Sequence, residues 1–200
     1  MFYVLCIFLL NFWLSSDDVC EYSSDEEEFA PVQYVVSKEL ELKDVLSPTL
    51  FTSREEFEGI IGSLAIHEGV DYINDNKLIS DVPVFATDDG IVVYVRTGCP
   101  EEKPFQTNNL LRECGAGWGN HIVVDHKGYY SRLAHLRLDS MHIKVNDLVK
   151  KGDILAYMGN SGRSDERHLH FELGVKSSGF ISCASSQSFD GVIDPKNFGY

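Results

Sequence analysis

From Val82 to Val175 the sequence runs in short β-prone stretches closed by turn signals, and no long segment carries convincing helical spacing. Val82–Thr87 and Gly90–Arg96 are separated by Asp88-Asp89 and read as a hairpin. His121–His126 and Tyr129–Leu136 flank Lys127-Gly128 and read as a second. Met141–Val145, Asp153–Met158 and His168–Val175 complete the expected strands, and Ser53–Ile61 is the one candidate for a short helix. The expectation is a mainly antiparallel β domain with long loops, spanning residues 51–200 and without internal repeats. With 200 residues, 44 % of them apolar, the chain can bury a core of its own.

The N-terminal quarter has a different character. Met1–Leu14 is almost entirely apolar, short for a membrane span and right for a signal-peptide core, although no Lys or Arg precedes it. Residues 1–16 are therefore expected to be a signal peptide or a membrane anchor, with membrane attachment through residues 1–14, and the protein to be extracytoplasmic. Seven acidic residues and no basic one lie between Asp17 and Glu28 and carry half of the net charge of −14. Residues 17–50 read as a solvated acidic linker or a pro-segment. No basic stripe exists, so a nucleic-acid partner is not expected. Of five cysteines, Cys6 falls in the apolar run. The other four can pair in an exported chain: Cys99 with Cys114, which flank one polar loop, and Cys20 with Cys183.

Three clusters carry chemistry. In a strand, His168, His170 and Glu172 point to one face while Leu169, Phe171 and Leu173 point to the other. Two imidazoles side by side are either a hydrogen-bonded surface pair or metal ligands. His67-Glu68-Gly69-Val70-Asp71 adds an imidazole and a carboxylate, with Gly69 expected to let the backbone turn. Two imidazoles, one carboxylate and a water make a tetrahedral zinc site with an open position, the arrangement of catalytic zinc. Calcium would demand more oxygen donors. The third cluster is His135, in Leu133-Ala134-His135-Leu136, at a strand end. Glu172 is either a partner that orients a site histidine or a solvent-facing charge. His121, His126 and His142 are expected to be structural or exposed. Trp118, Tyr129 and Tyr130 are core residues or groove-lining aromatics, and Gly159–Ser164 is a turn.

Taken in order, these pieces resemble the lysostaphin-type, or LytM-like, zinc metalloendopeptidases. They are His67-x-Gly-x-Asp71, Pro83–Gly90, Gly119–His126, Ala134-His135-Leu136, Val149–Ile154, Gly159–Ser164, His168–Glu172 and Asp194-Pro195. The resemblance implies a compact β fold, barrel- or sandwich-like, with the site in a groove walled by loops. It implies one Zn2+ per chain held by His67, Asp71 and His170, with His135 and His168 as the catalytic histidines. It implies hydrolysis of cross-link or stem peptides of peptidoglycan. The alternative within the family is a catalytically silent module that binds cell wall or activates another wall hydrolase. The sequence departs from the pattern in the long segment between Asp71 and Pro83, in Asp165-Glu166-Arg167, and in the inserted Cys99–Cys114 loop.

Overall fold

The computed structural model describes residues 47–48, 52–58, 64–74 and 76–199, with residues 47–66 given as backbone only. The apolar run, the acidic stretch and Cys20 lie outside these residues. The described residues form eleven strands: β1 (Ser47–Pro48), β2 (Thr52–Glu58), β3 (Leu64–Ile73), β4 (Pro83–Phe85), β5 (Gly90–Arg96), β6 (His121–Asp125), β7 (Tyr130–Ala134), β8 (Leu148–Val149), β9 (Ile154–Tyr157), β10 (His168–Val175) and β11 (Gly191–Ile193). Among the described residues there is no α-helix, only short 3-10 turns. Nine strands form one antiparallel sheet in the order β1-β3-β10-β7-β6-β5-β8, with β2 added to β3 and β11 to β10. β4 and β9 form a separate two-stranded sheet.

The two faces of the large sheet have different work, set by the alternation of its central strands. Val92, Ile122, Val124, Leu133, Phe171 and Leu173 point to one side, where Val84, Leu155, Ala156 and Met158 complete the main core. The opposite side carries Val123, Arg132, His170 and Glu172. At one end of that side Tyr94, Val123 and Phe189 form a small second cluster. Tyr94 reaches it because a bulge in β5 sets Val93 and Tyr94 against the single residue Val123. Val95 then returns to the main core beside Ile122.

The hairpin at Lys127-Gly128 is present: Asp125 pairs with Tyr130, and both turn residues have positive φ, 61° and 149°. Three other expectations are corrected. Val82–Thr87 and Gly90–Arg96 are not a hairpin. β4 pairs with β9, and the amide of Ala86 continues that pairing onto the Asp153 carbonyl at 2.8 Å. Asp89 meanwhile accepts from Lys150 Nζ at 2.9 Å and the Lys151 amide at 3.0 Å. The two aspartates thus form a corner between sheets, a role that only the distant 150–157 arm creates. The expected helix at Ser53–Ile61 is, through Glu58, strand β2, because its backbone pairs along β3 and the ladder overrides weak local preference. Met141–Val145 joins no ladder. Met141 and Ile143 pack on the core, and the pairing residues are Leu148–Val149.

The loop between β5 and β6 is closed by the Cys99–Cys114 disulfide, whose residues are both buried. Cys183 is exposed and pairs with no cysteine among the described residues. Closing 15 residues of loop stabilises the fold by about 3 kcal/mol through the entropy of the unfolded chain. A Cys99→Ala/Cys114→Ala variant should lose an amount of that order in urea unfolding. An unchanged midpoint would show that the staple restrains nothing the fold does not already hold.

Candidate metal centre

Register brings the chemistry together. On β10, His170 lies opposite Asp71 of β3 on one side and Ala134 of β7 on the other. Glu172, two residues on and on the same face, lies opposite Arg132. His67 and Asp71 are four residues apart on one uninterrupted strand and therefore share that face. Contrary to the expectation from the sequence, Gly69 does not turn the chain. It sits mid-strand at φ 130°, where a Cβ would lie 2.4 Å from the Phe171 carbonyl oxygen and 3.0 Å from Glu172 Cγ. Its function is close approach: any side chain there would push β3 away from β10 or displace Glu172.

Three donor atoms converge. His170 Nδ1 is 3.1 Å from His67 Nε2 and 2.9 Å from Asp71 Oδ1, and His67 Nε2 is 3.1 Å from the same oxygen. Among the described residues this is the cluster of His, Cys, Asp or Glu able to hold a metal ion. The donor set fits zinc. Tetrahedral ligands at about 2.0–2.1 Å from the ion stand roughly 3.3 Å from one another. The other ring nitrogen of His170, Nε2, lies 2.7 Å from Glu172 Oε1. A carboxylate only accepts, so Nε2 carries the proton and Nδ1 presents a lone pair. A bare lone pair 2.9 Å from a carboxylate oxygen is repulsive, so a proton or a metal ion belongs between them. With only protons to serve, burial would lower the His170 pKa, but hydrogen bonds to Asp71 and Glu172 raise it to about 9. Burial would likewise push the Asp71 carboxyl up, yet hydrogen bonds from His170 and His67 hold it well below the usual range.

His135 and His168 complete the group. Their rings stand 4.5 Å apart, and His135 is 5.9 Å from the His170 ring. His135 follows β7 at φ 58°, a left-handed conformation that turns its ring out of the ladder. Its Nδ1 donates to the Ser161 carbonyl at 2.7 Å, and His168 Nδ1 donates to the Glu166 carbonyl at 2.8 Å. His168 Nε2 lies 3.8 Å from Asp71 Oδ1. Burial holds both histidines below the ordinary imidazole range, helped for His135 by the neighbouring His168 and His170. The structure thus gathers all five sequence-derived residues into one group.

The wall of the site is built from two loops in unusually close contact. A Cβ on Gly162 would lie 2.3 Å from the Gly119 amide nitrogen, and one on Gly119 would lie 2.4 Å from the Ser161 backbone. Asn120 ties the same loops: its amide donates to Ser161 Oγ at 2.9 Å and its side chain to the carbonyls of Cys99 and Leu136. Gly159–Ser164, a turn by sequence, therefore supplies the carbonyl that orients His135. His121 and His126 are structural, bonded to the Gly119 carbonyl and to the Asp89 carbonyl with Ser131, and His142 is exposed. Glu172 is a buried partner of His170. Arg132, which the sequence did not single out, is wholly buried and pairs with Glu172 at 2.9 Å. Only the strand register marks it.

Known proteins share both sequence and fold with this chain. The peptidoglycan DD-endopeptidase ShyB of Vibrio cholerae is 31 % identical over 117 residues, covering 58 % of this chain and 22 % of ShyB. The murein hydrolase activator NlpD of Escherichia coli is 37 % identical over 94 residues, covering 46 % of this chain and 20 % of that protein. The chain thus spans about a fifth of the length of each. The catalytic domain of lysostaphin from Staphylococcus simulans has the same fold, with a TM-score of 0.50 and 23 % identity, over 78 % of this chain and 93 % of that domain. Residues 65–180, more than half of the chain and the whole of the site, match peptidase family M23, and the protein belongs to that family.

Proposed function

We propose that the protein is a zinc-dependent endopeptidase that cleaves cross-link or stem peptides of peptidoglycan, outside the cytoplasm, with His67, Asp71 and His170 as ligands. The observation that carries this reading is the convergence of three donor atoms beside two further histidines on one sheet face. Bound zinc would supply a Lewis acid for the scissile carbonyl and an acidified water.

The protein's own residues account for the proton traffic. His135 and His168 each have Nδ1 committed to a backbone carbonyl, so the neutral rings keep their proton there and leave Nε2 as the base. Their lowered pKa values keep both rings neutral and able to accept at neutral pH. A ring that takes a proton becomes a cationic donor, suited to the charge on the carbonyl oxygen or to the departing amine.

The second reading is a silent module that binds wall or activates another hydrolase. It is favoured by the likeness to a protein described as a murein hydrolase activator. A module that only binds has no need of His135 and His168 together, so the endopeptidase stands first. Incubation with purified sacculi separates the two. Release of soluble peptide that stops with a chelator and returns with zinc supports the enzyme. Binding to sacculi, or stimulation of a partner hydrolase, without release supports the module.

A further inference from the structure

Behind His170 lies a closed polar network that the proposed reaction does not use directly. Glu172, 1 % exposed, receives three donors. His170 Nε2 and Trp118 Nε1 both reach Oε1 at 2.7 Å, and Arg132 reaches Oε2 at 2.9 Å. Arg132 is itself fully buried. Its guanidinium lies 3.7 Å from the centre of the Trp118 ring and 4.8 Å from that of Phe189, and it also donates to the Gln187 carbonyl. Burying such an ion pair is costly unless further bonds satisfy it, and removing one partner leaves the other charge stranded. A core built only for stability would place apolar residues here. Each of these groups instead restrains the carboxylate that fixes the proton of His170 on Nε2.

We propose that Trp118 and Arg132 are positioning residues that act through Glu172 on His170, holding its Nδ1 lone pair toward His67 and Asp71 and thereby setting metal affinity. The inference rests on the metal-site reading above. The geometry makes the order of action plain: Arg132 holds Glu172 in place through Oε2, Trp118 fixes the oxygen shared with His170, and the ring of His170 cannot rotate without breaking the 2.7 Å bond. Trp118 follows the turn that begins at the bridged Cys114, and its carbonyl accepts from the His135 amide at 2.9 Å.

The test is the zinc dissociation constant, measured by competition with a chromophoric chelator, beside the melting temperature of each protein stripped of metal. Glu172→Gln should weaken zinc binding about 10- to 100-fold. Trp118→Phe keeps an aromatic surface under Arg132 and removes only the indole donor. It should weaken binding about three- to tenfold while the metal-free melting temperature stays near that of wild type. Should Glu172→Gln fail to fold, Trp118→Phe alone decides the matter. Wild-type affinity in a folded Trp118→Phe protein, or a loss of metal-free stability with unchanged affinity, would make the network merely structural and overturn the inference. Wild type that binds no zinc would overturn the metal-site reading and this inference together.

Discussion

Asp71→Ala and His170→Ala should each abolish tight zinc binding and, with it, wall-peptide cleavage. The three donor atoms lie within 2.9–3.1 Å of one another, so in the proposed site each supplies one ligand. A site reduced to two protein ligands retains too few bonds to hold the ion against water. The two variants should differ in stability. His170→Ala removes one of the three donors of buried Glu172 and empties a buried ring site, whereas Asp71 is partly exposed. His170→Ala should therefore lower the metal-free melting temperature more. Elemental analysis after gel filtration gives zinc content directly. Stoichiometric zinc in either variant would show that the ligand set is wrong.

Much of this site was legible in the sequence because strand periodicity is a local property. His168, His170 and Glu172 alternate with Leu169, Phe171 and Leu173, and β10 places the first set toward the site and Phe171 and Leu173 in the main core. The Lys127-Gly128 hairpin and the Cys99–Cys114 bridge were legible for the same reason, since turn chemistry and loop closure are read over a few residues. What remained hidden depends on pairing between distant segments. β4 turned to β9 rather than β5 because the partner arm lies some seventy residues on. Gly69 looked like a turn, but its meaning comes from the β10 backbone packed against it. Arg132 has the appearance of an ordinary exposed strand residue until register sets it opposite Glu172.

His135→Ala and His168→Ala should leave zinc and fold in place and remove most of the activity. Neither ring is needed as a ligand in the proposed site, and each is anchored by hydrogen bonds to a loop, His135 to the Ser161 carbonyl and His168 to the Glu166 carbonyl and Ser164 Oγ, rather than by packing in the main core. Their loss should cost little stability. Each nevertheless offers, beside the donors, an imidazole Nε2 that can take a proton from water and then stand as a cation beside the developing charge. Removing one such group costs on the order of a hundredfold or more in rate. Turnover of a wall-peptide substrate, zinc content and a melting curve should be recorded on the same samples. Wild-type turnover in both variants would remove the catalytic assignment, and loss of zinc from either would make that histidine a ligand.

The most direct test of the central claim is mass spectrometry of fragments released when zinc-loaded protein digests purified peptidoglycan in water enriched in oxygen-18. Attack of water on a peptide carbonyl predicts that every cut creates one new free amine and one new carboxyl group carrying a single heavy oxygen, with the glycan strands intact. Cut sugars beside intact peptides, or an undigested wall with the protein bound to it, would contradict the account.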